Sequence, residues 1–177
     1  GRVDKYSWVD LGSSYALSDI LAAHLYAQLE TKELILARRR QLWEQYHTPF
    51  REALEGTAIR LPTIPNGCQP AYHLYYLLLP DQVARDRLIA ALADVGIGSV
   101  FHYVPLHRSP MAKRLAISDE CPVTDDLSSR LVRLPFHNQL TDTDQQRVID
   151  QVINHCRSPV LGKRCSSAGQ KRLPNPS

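Results

Sequence analysis

The sequence predicts a mixed α/β chain, an α+β unit in which two long helices precede a small sheet covered by helices. Three observations predict it. An almost wholly apolar helical run over 18–29 is followed, after Thr31, by an amphipathic one. A strand, helix, strand pattern begins at Ala71, and a capped helix over 142–156 closes the patterned region.

Gly1 to Leu11 shows no periodicity and begins without a methionine, so the sequence reads as starting in mid-protein. In the first helix Ile20, Leu21, Ala22, Ala23, Leu25, Tyr26, Ala27 and Leu29 go all the way round, leaving His24 and Gln28, four apart, as one polar ridge. A helix apolar on every face is buried on every face. This one is well short of the roughly 20 residues that span a bilayer, so its setting is a protein interior or a subunit interface. Ser18 serves as its N-cap, with Asp19 in the first turn. The same Ser-rich turn, with Ser13 and Ser14, also has the makings of an anion site at a helix N-terminus.

The second helix carries Ile35, Leu36, Leu42, Trp43 and Tyr46 as its apolar stripe. Arg38, Arg39 and Arg40 diverge by about 100° each, so they form no continuous basic stripe and read as a solvated face. Pro49 predicts a kink or a restart capped by Thr48, and Gly56 an end. Residues 59–70 hold three prolines and an Asn-Gly turn, a surface connector. Ala71 to Leu79 reads as a strand, Gln82 to Val95 as a helix stopped by Gly96, and Ser99 to Val104 as a second strand. A short helix over 125–132 is capped by Thr124, a brief strand follows at 132–134, and the last helix is capped by Thr141 and buries Val148, Ile149, Val152, Ile153 and Cys156.

Composition bounds the partners. Hydrophobic residues make up 44% of the 177 and charged residues 22%, as in globular proteins. The net charge of +3 is misleading, because five of the 21 basic residues and no acid lie in the last 21 positions. The first 156 residues thus hold 16 basic against 18 acidic groups, which gives no electrostatic case for nucleic acid. The longest apolar run, Ala71 to Leu79, is interrupted by His73 and is half a membrane span. Cys68, Cys121, Cys156 and Cys165 are scattered without a CxxC pair, so a metal or disulfide framework is not expected and a cytoplasmic setting is. Residues 157–177 are rich in Ser, Pro, Gly and basic groups and read as a disordered tail, since they bury too little to offset about 1–2 kcal/mol per ordered residue.

Three blocks carry a resemblance: YSWVDLGSSYALSDILAAHLYAQLE from Tyr6, VFHYVPLH from Val100 to His107, and RLPFHNQLTDTD from Arg133 to Asp144. In this order, over about residues 3–156, they resemble the DegT/StrS-type sugar nucleotide aminotransferases, pyridoxal phosphate enzymes of aspartate aminotransferase fold (fold type I). The resemblance implies the end of the large domain and interdomain helices at 1–57, the C-terminal small domain at 58–156, and a homodimer. It implies transfer of an amino group, from a donor such as glutamate, onto a 4-keto-6-deoxy nucleotide sugar. The Schiff-base lysine of such enzymes lies upstream of these motifs, and none of Lys5, Lys32, Lys113, Lys163 or Lys171 is a good candidate for it.

The turn that typically reads G-x-N-Y-R-M in the family reads GSSYAL here. Its Asn reaches the cofactor phosphate of the other subunit, so the resemblance gives Ser14, with Ser13 and Tyr15, the cofactor-binding role; a hydroxyl donates one such bond. Ala16 stands where the family has Arg and cannot replace it. The resemblance also places His102, Tyr103 and His107 on the nucleotide-sugar pocket. Alternation puts His102 and Tyr103 on opposite faces, and Pro105 turns the chain so that His107 returns toward His102. From the residues alone the favoured reading is structural, with His102 a core histidine and Tyr103 packing, and two histidines without a third ligand make a poor metal site. A non-catalytic dimerisation module built on the same fold is the alternative to an enzyme.

Overall fold

A computed structural model describes residues 10, 17–116 and 120–157. Its elements run α1 (Asp19–Glu30), α2 (Lys32–Ala53), β1 (Tyr76–Leu78), α3 (Gln82–Asp94), β2 (Val100–Phe101), a 3-10 turn (Leu106–Arg108), α4 (Pro110–Arg114), α5 (Pro122–Arg130), β3 (Leu131–Arg133) and α6 (Asp142–Arg157). The sheet is antiparallel in the order β1-β3-β2. The α+β architecture is therefore as the sequence predicts, with helices on one face of a short sheet.

Register explains the two faces of that sheet. Leu77 pairs with Val132, and both are fully buried against the helices. Neighbouring positions point the other way, so Tyr76, Arg133 and Val100, aligned across the three strands, form a row on the open face. The core joins Leu42, Tyr46 and Phe50 of α2 to Leu88 and Leu92 of α3 and to Val148 and Val152 of α6. Tyr75 sits among the α2 rings, 5.2 Å from Tyr46 and 5.9 Å from Phe50.

The first helix forms where expected. Ser18 caps it, accepting from the Leu21 amide, and His24 meets Gln28 along the polar ridge. None of its residues is buried, however, so the all-round apolar surface is uncovered in this chain. The second helix differs from expectation at Pro49, which lies inside a continuous α2; Thr48 caps no restart. Tyr46 and Phe50, one turn apart and both fully buried, stack at 5.8 Å. Their packing outweighs the roughly 3 kcal/mol that an interior proline costs. The helix closes at Leu54 rather than Gly56.

Arg38 and Arg39 are not a solvated face. Arg38 donates to the carbonyl of Leu140 at 2.7 Å, and Arg39 to those of His73 (3.1 Å) and Tyr72. Only Arg40, paired with Glu44, remains at the surface as expected. Tyr46 Oη donates to the Pro135 carbonyl at 2.9 Å, and Gln145 Nε2 to that of Leu42 at 2.7 Å. These four side chains lock α2 to the segments that carry the sheet.

Both strands read from residues 71–79 and 99–104 are shorter than expected. Tyr72 has φ +45°, a left-handed conformation that ends any extended run, so β1 starts only at Tyr76. Leaving β2 after Phe101, the chain enters the 3-10 turn and α4, two elements the sequence pattern did not reveal. The fifth helix starts at Pro122, in the first helical position, and Thr124 is inside it. Thr141 caps α6 as predicted, accepting from the Asp144 amide while its hydroxyl donates to the Asp144 carboxylate. His155, in the last turn of α6, is pushed toward its neutral form by burial and by Arg87. No helix of the described residues is long and apolar enough to cross a membrane.

Candidate functional site

The loop from His102 to Arg108 leaves the sheet at the end of β2, and the residues expected to act together divide there into two clusters. The alternation predicted for His102 and Tyr103 fails because β2 stops at Phe101; their rings lie side by side, 5.1 Å apart. The Arg133 guanidinium lies over the Tyr103 ring, 5.4 Å from its centroid. Burial, with Arg133 and then His73 nearby, holds the His102 imidazole below its ordinary pKa of 6.5. Neutral imidazole keeps one donor and one acceptor for a ligand.

His107 is paired with Asp125, its Nε2 2.9 Å from Oδ1. Arg108 grips both oxygens of the same carboxylate, Nε at 2.7 Å and Nη2 at 2.6 Å. Those Arg108 hydrogen bonds, with the His107 contact added, hold the Asp125 carboxyl below its ordinary value. The local cause is Pro105. It starts the 3-10 turn, which presents His107 and Arg108 together toward the first turns of α5.

A groove of about 570 Å³ runs from Tyr103 to Arg108 and Asp125; His102, His107 and Arg133 are not among its lining residues. Tyr103, Val104 and Pro105 form one wall; Arg108, Asp125, Ser128 and Ser129 bring polar groups, and the ring of Phe101 meets the buried Arg85 at 5.9 Å. Its mix of apolar wall and hydroxyls suits a ligand with both a ring and polar substituents. A larger groove, about 720 Å³ between α2 and residues 60–64, contains none of the predicted site residues. Sequence reasoning missed Arg133 and Arg108 as site groups. The signal for Arg133 was its place at the head of the RLPFHNQLTDTD block, one residue beyond an inward-facing Val132. Among the described residues no three His, Cys, Asp or Glu side chains gather as a metal site. Ser13, Ser14 and Tyr15 lie outside the described residues.

Residues 1–153 match the DegT/DnrJ/EryC1/StrS aminotransferase family, and the chain belongs to it. Aminotransferases of this family use pyridoxal phosphate. A DegT DnrJ EryC1 StrS aminotransferase from Brucella abortus is 30% identical, with a TM-score of 0.65 over 91% of this chain and 40% of the other. DesV of S. venezuelae is 27% identical, with a TM-score of 0.68 over 88% of this chain and 41% of that protein. The aminotransferase TlmJ of Streptoalloteichus hindustanus is 27% identical, with a TM-score of 0.66 over 77% and 36%. The chain thus spans about two-fifths of the length of these structures.

Proposed function

We propose that this chain is the C-terminal portion of a pyridoxal phosphate-dependent aminotransferase that transfers an amino group from glutamate to a 4-keto-6-deoxy nucleotide sugar. A dTDP-linked hexose is the proposed substrate, as in the branch of dTDP-4-amino-4,6-dideoxygalactose transaminases. The observation that carries this reading is the family match over residues 1–153, which takes in both the VFHYVPLH and RLPFHNQLTDTD blocks. Residues 1–57 belong on this reading to the large domain and interdomain helices, and 58–156 to the small domain. The whole enzyme is a cytoplasmic homodimer, its interface including α1.

When bound, pyridoxal phosphate supplies the electron sink that lets an amino group move between carbons. The lysines among the described residues do not fit the amine that holds its aldehyde. Lys32 projects into solvent beside Glu33, and Lys113 is exposed on α4, whereas such a lysine is activated by desolvation or a neighbouring cation. Ser14, with Ser13 and Tyr15, would hold the cofactor's phosphate. The chain's own residues bind and orient. His102 and Tyr103 hydrogen-bond sugar hydroxyls or diphosphate, and Asp125 fixes the ring of His107 so that its other nitrogen, Nδ1, faces a ligand in one orientation.

The second reading, a non-catalytic dimerisation module, is favoured by the uncovered apolar surface of α1. One assay separates the two. The natural gene product carrying this chain is incubated with pyridoxal phosphate, L-glutamate and dTDP-4-keto-6-deoxyglucose. Appearance of 2-oxoglutarate and an amino sugar by mass spectrometry is the expected result. Dimerisation without turnover would select the module.

A further inference from the structure

We propose that the groove between α2 and residues 60–64 binds a small aromatic anion, a flat ring carrying one phosphate or carboxylate group. The groove has a volume of about 720 Å³, within the range of small-molecule sites, and shares no lining residue with the groove beside the β2 loop. One wall comes from α2, where Trp43, His47 and Arg51 follow one another at intervals of four and so lie on one face in successive turns. The opposite wall is pinned at its start. The Arg60 amide donates to the Leu78 carbonyl at 2.9 Å, and the Leu78 amide donates back to Arg60 at 3.0 Å. Tyr76 and Leu78, two apart on β1 and thus on one face of the sheet, add a third side.

The lining offers one part for a ring and another for a charge. Trp43 and His47 stack at 4.3 Å with 18° between their planes, and the Tyr75 hydroxyl, 3.2 Å from His47 Nδ1, holds the imidazole in place. Rings ordered in advance lose little freedom when a ligand arrives, and with Leu61 and Ile64 on the other wall they favour a flat apolar group. The charge is positive and unmatched. Arg51 and Arg60 line the groove, no Asp or Glu does, and neither guanidinium has a hydrogen-bond or ion-pair partner among the described residues. Glu52 and Glu55 share a neighbouring cleft with Arg51 but do not pair with it. His47 adds no charge of its own near neutral pH, since burial and Arg51 hold its imidazole below the ordinary value of 6.5. A cation is thus repelled, and an uncharged ring leaves both guanidiniums unused. Two arginines beside ordered rings suit an anion attached to a ring, because each can fork onto its oxygens. The site stands on these residues and is independent of the aminotransferase reading.

The test uses the full 177-residue chain carrying Trp8→Phe, which leaves Trp43 as its only tryptophan and as the reporter. Its fluorescence is titrated at matched ionic strength with phenyl phosphate and phenylacetate, with their ringless counterparts phosphate and acetate, and with benzyl alcohol as the uncharged ring. At least one ring-bearing anion is expected to bind about tenfold or more tighter than its ringless counterpart and than benzyl alcohol. Binding confined to phenyl phosphate assigns the group as phosphate, and binding confined to phenylacetate as carboxylate. Arg51→Gln combined with Arg60→Gln is expected to weaken it about tenfold or more, and the corresponding pair of lysines by less, because lysine keeps the charge and loses the fork. Arg87→Gln, on α3, should leave it unchanged. Benzyl alcohol binding as well as the anions, ringless anions binding as well as ring-bearing ones, unaltered binding in the double glutamine variant, or no response of Trp43 at all would each overturn the site. A second measurement needs no variant. Phenylglyoxal modification of Arg51 and Arg60, followed by peptide mass spectrometry, is expected to slow several-fold under the bound anion while Arg87 reacts unchanged; equal slowing at all three would also overturn it.

Discussion

His107 and Asp125 are 18 residues apart in sequence, yet the imidazole Nε2 and a carboxylate oxygen meet at 2.9 Å because the 3-10 turn and the start of α5 face one another. Arg108 completes the contact with a two-point grip on the same carboxylate. One acid thus fixes two consecutive side chains of the loop that lines the groove. Asp125→Asn keeps the shape and removes the charge. The amides of Arg108 and Ser109 are then expected to exchange hydrogen faster, while those of Leu77 and Val132 stay as protected as before. Unchanged protection at Arg108 and Ser109 would show that Pro105 and the turn hold the loop without the acid.

The Tyr46 hydroxyl gives a cleaner energetic test. It donates to the Pro135 carbonyl at 2.9 Å from a fully buried ring, and burial raises its pKa far above the ordinary tyrosine value. Tyr46→Phe preserves the stack on Phe50 and leaves a carbonyl without that donor. The expected cost is about 1–3 kcal/mol in urea unfolding, the usual penalty for an unsatisfied buried partner. A change near zero would mean that water reaches Pro135.

The fold was legible where side chains announce an element end. Ser18 and Thr141 mark helix starts through their own hydroxyls, so α1 and α6 fall where the pattern puts them. It was illegible where distant contacts decide. Nothing near Tyr72 in sequence signals a left-handed backbone; the Arg39 guanidinium, bonded to the carbonyls of Tyr72 and His73 from another element, fastens that turn. Pro49 stays helical for a similar reason, the burial of its neighbours Tyr46 and Phe50. Of the site, His102 and Tyr103 were found from the motif, but their side-by-side placement depends on where β2 ends, and Arg133 on strand register. Both are products of pairing with residues about 30 positions away.

Three histidines make stability pH-dependent in one direction. Burial lowers the pKa of His47, His102 and His155 below 6.5, with Arg51, Arg133 and Arg87 respectively adding to it. Just below pH 6.5 the unfolded chain therefore binds more protons than the folded one, so folding stability falls as pH drops from 6.5 toward each folded value. Asp125, held below 3.8, adds a separate loss in the acid range below its unfolded pKa. The urea midpoint is expected to decrease from pH 7.5 to 5.5, and less steeply in a His155→Gln chain. A midpoint that rises over that interval would contradict the burial of these rings.

The apolar surface of α1 predicts how the chain behaves alone. Ile20 is 82% exposed and Tyr26 66%, and Leu21, Leu25 and Leu29 are each about half exposed. Covering one such side chain is worth about 1.5–3 kcal/mol, so a cluster of five drives association. The 177-residue chain is expected to sediment as dimers or larger species. Leu21→Glu combined with Leu25→Lys places a favourable pair at i, i+4 and should preserve the helix while removing part of its apolar surface. That double variant is expected to shift toward monomer at unchanged helical circular dichroism. A wild-type chain that is already monomeric, with one cooperative unfolding transition, would show instead that α1 needs no cover and that the unit is self-sufficient.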